Sequence, residues 1–187
     1  MPSMRPVLLY TVGLPGAGKT FIATALSYWL DAVHLRADKI GFELFKFPTF
    51  SPAERQAVHQ ELQYRAADAI ESGRPVIYDA ATNAYAQRAG VAALGEKLGV
   101  PTIGIWVRVP AELAMTRAGK LRDRHLAGPV ARVLPPNVFM QYVQMFEVPA
   151  TDEGVIDVRG NEQFVLQYRR LRRDMSAYGV ALPKMIQ

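Results

Sequence analysis

The chain has 187 residues, half of them hydrophobic and 21% charged, a composition that suits one globular domain with a substantial core and excludes wholesale disorder. It has no cysteine, which excludes disulfides, thiolate zinc sites and thiol redox chemistry, and no apolar run approaches the ~20 residues of a membrane-spanning helix. The net charge of +5 is concentrated in two segments, 117–132 with five basic residues against Asp123, and 169–174 with four arginines against Asp174.

In chain order, the apolar run 7–12 predicts a buried strand. Residues 19–31 carry a helical pattern, and 33–35 a short second strand. Residues 45–52 form a loop with prolines at 48 and 52. Ser51, Pro52 and Glu54 mark a helix start: serine as cap, proline at the first helical position, glutamate three after the cap. That helix runs to about 72 and stops at Gly73. A third strand (75–78), a helix (84–98), a fourth strand (102–109) and a helix (111–121) follow. Residues 126–136 read as an exposed loop, 137–147 as a helix, 155–158 as a fifth strand and 162–178 as a last helix. In that last helix Phe164, Tyr168, Leu171, Met175 and Tyr178 recur at steps of four and three, a core-facing stripe. Arg169, Arg170, Arg172 and Arg173 fall off the stripe, as a solvated face or a patch for an anionic partner. Met140 and Met145 are expected as core filler. The alternation predicts one α/β domain over 1–187, a mostly parallel sheet with helices on both faces.

The chemistry starts at Gly13-Leu14-Pro15-Gly16-Ala17-Gly18-Lys19-Thr20, which fits G-x-x-x-x-G-K-[ST] at every fixed position between a strand and a helix. Glycines let the backbone curl so that successive N–H groups point at phosphate oxygens, and the helix N-terminus adds partial positive charge. Lys19 then bridges the β- and γ-phosphates of a nucleoside triphosphate, and the Thr20 hydroxyl holds Mg²⁺. Asp38 follows the second strand and Asp79 ends the third. Carboxylates at the carboxyl ends of parallel strands face the ligand crevice, where they accept a hydroxyl proton or hold Mg²⁺ through water. Asp38 could instead cap the next helix. Thr82 and Asn83 are candidates for hydrogen bonds to substrate, Asn83 alternatively as a helix cap. Among the basic residues at the end of the 111–121 helix, Arg117 and Arg122 are the candidates to neutralise charge on a transferring phosphoryl group. His34, His59 and His125 have no ligand spacing and none reads as a metal ligand.

The series GLPGAGKT, LRADKI, VIYDAATN with Arg88, VPAELAMTR and LPPNVFMQYVQMFEVP resembles the P-loop kinase group around the 5′-hydroxyl polynucleotide kinase domain, with its predicted ATPase/kinase and zeta-toxin-like relatives, over about residues 7–158. The resemblance implies a five-stranded parallel sheet of order 2-3-1-4-5 with a basic helical lid at about 117–136. It implies Lys19 and Thr20 as the ATP- and Mg²⁺-binding pair, Asp38 as general base, Asp79 as the carboxylate ending the third strand, and Arg117 and Arg122 as lid arginines. Three positions depart from the group: Gly41 stands where an arginine engages the acceptor's phosphate, an extra alanine lengthens D-x-T-N to Asp79-Ala80-Ala81-Thr82-Asn83, and the lid arginines are five apart rather than four.

The expected activity is an ATP- and Mg²⁺-dependent phosphotransferase acting on a hydroxyl acceptor, either a polynucleotide 5′ end or a small molecule such as a nucleoside, sugar or antibiotic. An ATP-binding switch without an acceptor, and a toxin kinase acting on a sugar nucleotide, are the rival readings. Residues 1–12 lack the length and cleavage site of a secretory leader, so the expected setting is cytoplasmic, with no membrane partner.

Overall fold

The computed structural model describes residues 6–49, 51–120 and 133–184. Strands β1 (Leu8–Val12), β2 (Val33–Arg36), β3 (Val76–Asp79), β4 (Thr102–Arg108) and β5 (Val155–Arg159) form one parallel sheet in the order β2-β3-β1-β4-β5. This is the order the resemblance implies. The helices among the described residues are α1 (Lys19–Leu30), α2 (Ala37–Leu44), α3 (Pro52–Glu71), α4 (Tyr85–Lys97), α5 (Ala111–Ala118), α6 (Pro136–Gln144) and α7 (Phe164–Ser176).

Every residue of β1 is buried, because it has a hydrogen-bonded strand on each side and a helical layer on each face. The alternation of side chains sends its residues to two cores. Leu9, with Ile77, Ile105 and Val107, packs under α1 and α7. Leu8, Tyr10 and Val12, with Tyr78, pack under α2, α3 and α4 through Ile40, Leu62 and Val91. Tyr10 is paired in register with Gly104, where a Cβ would lie 2.7 Å from the tyrosine ring; the glycine makes room for the phenol. Since all five strands run the same way, the loops after β1, β2 and β3 meet at one edge of the sheet.

Several local expectations change in three dimensions. α2 follows β2 without a loop. α6 ends at Gln144, and Met140 and Met145, expected in the core, are 46% and 72% exposed. α6 has α5 as its neighbour, where Phe139 packs against Ala114 and Ala118, so a single face is covered and the methionines lie off it. In α7, Tyr168, Leu171 and Met175 are buried as the stripe predicts, while Tyr178 falls beyond the helix end and is exposed. Most of the α7 arginines have partners in the chain itself: Arg170 pairs with Glu162, Arg173 with Asp174, and Arg172 Nε donates to the Leu182 carbonyl.

His59 of α3 lies with Nδ1 2.6 Å from the hydroxyl of the fully buried Tyr78 and Nε2 3.1 Å from the Gln63 carboxamide. Burial lowers its pKa below the ordinary 6.5. The unfolded chain therefore takes up a proton as pH falls through about 6.5 that the folded chain refuses, and stability declines from there toward the folded pKa. Thermal unfolding followed from pH 8 to pH 5.5 should show this loss in the wild type, and a shallower slope in His59→Gln; identical slopes would remove His59 as its source.

Candidate active site

The loop joining β1 to α1 has the geometry its sequence demands. Gly13, Gly16 and Gly18 have φ of +141°, +84° and +105°, in a region that L side chains rarely adopt. Steric need adds to this at two of them. A Cβ on Gly13 would lie 2.5 Å from the Val107 carbonyl oxygen, and one on Gly16 would lie 2.1 Å from that of Ala114. Ala17 N–H closes the turn on the Leu14 carbonyl at 3.1 Å. Gly18 caps α1, and Lys19 and Thr20 begin it. The Lys19 ammonium folds over the loop, donating to the Gly13 and Leu14 carbonyls at 2.8 and 3.1 Å.

The segment 79–83 splints this loop from beneath. Thr11 Oγ1 donates to Asp79 Oδ1 (3.0 Å), Thr82 Oγ1 donates to the Thr11 carbonyl (2.6 Å), and the Gly13 N–H donates to Asn83 Oδ1 (3.0 Å). The sequence places Thr82 and Asn83 on the ligand side; in the fold both are buried and their side-chain oxygens meet the chain's own backbone. Nor does Asn83 cap α4, whose cap is Ala84, with the Ala84 N–H bound by Gln87. The extra alanine of this segment is absorbed in the bend after Asp79, and both residues still reach β1.

Asp79 is the electrostatic centre of the site. Its Oδ2 lies 3.1 Å from His34 Nε2 on β2, so side chains from β1, β2 and α1 converge on one carboxylate. Burial alone would raise its pKa, but the His34 hydrogen bond and charge, the Lys19 ammonium and the Thr20 hydroxyl outweigh that and hold the carboxyl below its usual range. An ionised carboxylate next to the Thr20 hydroxyl is a hard oxygen pair of the kind Mg²⁺ takes, with phosphate and water oxygens completing the shell. These two residues fit that ion.

Asp38 lies in the first turn of α2, at the same sheet edge, and is not the cap; Arg36 occupies that position. The Arg36 guanidinium forks onto both Asp38 oxygens, at 3.0 and 2.5 Å. The carboxylate stays partly open to solvent while the guanidinium is largely covered. Arg117, in the last turn of α5, donates to the Gly160 carbonyl at 3.1 Å. It lines a cleft of about 320 Å³ that opens beside Gly18 and is walled by Phe21, Glu162, Phe164 and Gln167. Arg122 lies outside the described residues.

The fold thus brings Lys19, Thr20 and Asp79 together, sets Arg117 beside the loop and places Asp38 at the shared edge. His34, Phe21 and the 160–167 wall are additions that no local motif marks. His34 meets its partner 45 positions away, and Phe164, which the sequence places in a core-facing stripe, meets Phe21 edge-on at 5.1 Å between centroids, both lining the cleft.

Because Gly16 is clamped against Ala114, Gly16→Ala should cost about 1–3 kcal/mol of stability and weaken ADP binding at least tenfold, read by thermal unfolding and calorimetric titration. A variant with wild-type values for both would contradict the close approach.

A family model described as AAA domain (AAA_33) matches residues 8–149. No curated protein matches the chain. Among solved structures, a gluconokinase from Sinorhizobium meliloti 1021 superposes with a TM-score of 0.66 at 11% identity, over 95% of each chain. The Mycobacterium tuberculosis APS kinase CysC, solved with AMPPNP and APS, gives 0.67 at 18% identity over 92% of this chain and 98% of that one. The Pnkp1/Rnl/Hen1 RNA repair complex gives 0.62 at 18% identity, over 75% of this chain and 44% of the other. With a strand order, a phosphate loop and a family match that agree over more than half its length, the chain belongs to the AAA domain family AAA_33 and has the fold of the P-loop kinases.

Proposed function

We propose that the protein is an ATP-dependent phosphotransferase that moves the γ-phosphoryl group to a hydroxyl of a small molecule. The observation that carries this reading is the convergence on one sheet edge of the phosphate loop, the Thr20–Asp79 pair and a second, solvent-accessible carboxylate, Asp38. An ATP-binding switch has no need of that second carboxylate. In the reaction, the acceptor oxygen attacks the γ-phosphorus as the bond to the β-phosphate oxygen breaks. ADP leaves, and the acceptor proton passes to Asp38. Lys19 swings from the loop carbonyls onto the phosphate oxygens, and Arg117 and Arg122 neutralise charge in the transition state. Thr20 and Asp79 would hold a Mg²⁺ ion, which would supply positive charge against the phosphates of the donor. The cleft between Phe21, Phe164 and Arg117 receives the nucleobase.

Three observations favour a small acceptor over a polynucleotide end. Position 41, where related kinases engage the acceptor's phosphate, is glycine. The kinases matched over nearly their full length include a gluconokinase and an APS kinase. The second basic segment, on α7, packs on the sheet face opposite α2 and α3, and most of its arginines are engaged within the chain.

Labelled ATP offered with a panel of sugars, nucleosides and 5′-hydroxyl oligonucleotides tests both halves of the reading. Transfer to a small hydroxyl compound is expected. Transfer confined to the oligonucleotides, with a steep loss between low and moderate salt, would overturn the small-acceptor half. Asp38→Asn should lower kcat by roughly 10²–10⁴-fold with ADP affinity unchanged. Undiminished transfer would remove Asp38 as the base, and hydrolysis with no transfer to any acceptor would favour the switch.

A further inference from the structure

Arg88 has no place in the chemistry above, yet it is the largest fully buried side chain among the described residues, 1% exposed. It lies in the first turns of α4, and each guanidinium nitrogen is engaged. Nε and Nη2 donate to Glu153 at 2.6 and 3.1 Å, and Nη1 donates to the backbone carbonyls of Asn83 and Glu147, both at 2.9 Å. The surrounding contacts close the same knot. Glu147 N–H donates to the Asn83 carbonyl at 3.1 Å. Glu147 Oε2 accepts from Tyr85 N–H, and Glu153 Oε1 from Ala150 N–H. Arg88 thereby fastens residues 147–153, the strap returning the chain from α6 to β5, to Asn83. The side chain of that same Asn83 receives the Gly13 N–H at the start of the phosphate loop.

A buried ion pair is weak evidence of stabilisation, since apolar packing of similar volume would hold a strap as well. An apolar side chain cannot, however, bond two carbonyls and a carboxylate at once, and a planar guanidinium can. The arrangement therefore specifies a position. Burial and the Glu153 charge also push the neighbouring Tyr10 hydroxyl up to about 12, while the Arg88 hydrogen bonds hold Glu153 below the usual carboxylate range. Glu153 is thus ionised and the phenol beside it is neutral.

We propose that Arg88 is a positioning residue for the phosphate loop: by locking the Asn83 backbone to the 147–153 strap it sets the direction of the Gly13 amide, and so tunes nucleotide affinity without touching nucleotide. This rests on the reading that residues 13–20 bind a nucleotide.

The test uses the whole chain, with ADP as ligand, in the wild type, R88K, R88A, E153Q, N83A and the R88A/N83A double variant, each checked for folding by its Tm. R88A and N83A should each weaken ADP binding roughly tenfold, and E153Q a few-fold. R88K should recover little, because one ammonium cannot span the three partners. The double variant should be no weaker than the worse single one, since both changes act through the one Asn83–Gly13 contact. Folded R88A or R88K with wild-type affinity would overturn the proposal, as would losses that multiply in the double variant. If R88A does not fold, R88K and E153Q decide: wild-type affinity in both overturns it. The chemical shift and exchange rate of the Gly13 amide in ligand-free R88K provide a second readout. A change supports the proposal, and an unchanged amide overturns it, even if the wild type binds no ADP and the nucleotide reading itself fails.

Discussion

The site depends on how the end of β1 is held while its chain reverses into α1. Three successive hydrogen bonds from the 79–83 segment do this, with Asp79 on the Thr11 hydroxyl, Thr82 on the Thr11 carbonyl and Asn83 on the Gly13 amide. A loop whose glycines take positive φ gains nothing from intrinsic backbone preference, so its direction has to be imposed from outside. The splint imposes it from below, and the Val107 and Ala114 carbonyls impose it from the side, close enough to leave no room for a Cβ at Gly13 or Gly16. Amides fixed before a ligand arrives need no reorganisation to meet developing charge.

The same splint gives Asp79 its character. A carboxylate this deeply buried should resist ionisation. It is held ionised because β2 delivers His34, β1 delivers Thr11 and α1 delivers Lys19 and Thr20 to one small volume. Asp38 stands in contrast, at the same edge but partly open to solvent and forked by Arg36. The two carboxylates thus sit in different environments, one buried among Thr11, His34, Lys19 and Thr20, the other paired with Arg36 at the solvent boundary.

Charge has a narrower meaning in the fold than in the composition. Of the two basic segments, the one on α7 lies behind the sheet from α2 and α3, with Glu162 and Asp174 paired to two of its arginines. Exposed pairs of this kind contribute little to stability, and they offset part of the positive charge that composition alone offers to an anionic partner. In the other segment, Arg117 reaches the phosphate loop's surroundings from α5.

Much of the frame is legible in the residues themselves. The apolar runs, the Ser51–Pro52–Glu54 helix start and the G-x-x-x-x-G-K-T signature depend on neighbours within a few positions, and β1, α1, α3 and β3 fall within a residue or so of where those signals put them. Met140 and Met145 misled because hydrophobicity predicts burial only where a neighbour exists to bury against, and α6 has such a neighbour on one side. Thr82, Asn83 and Arg88 could be singled out from the sequence, but not their partners, which lie 71, 70 and 65 positions away. The sequence by itself determined a phosphate loop between a buried strand and a helix, because the backbone freedom and donors it needs are local. Only the tertiary structure decided what aims that loop, because parallel crossovers bring β1, β3 and the strap before β5 together from distant parts of the chain.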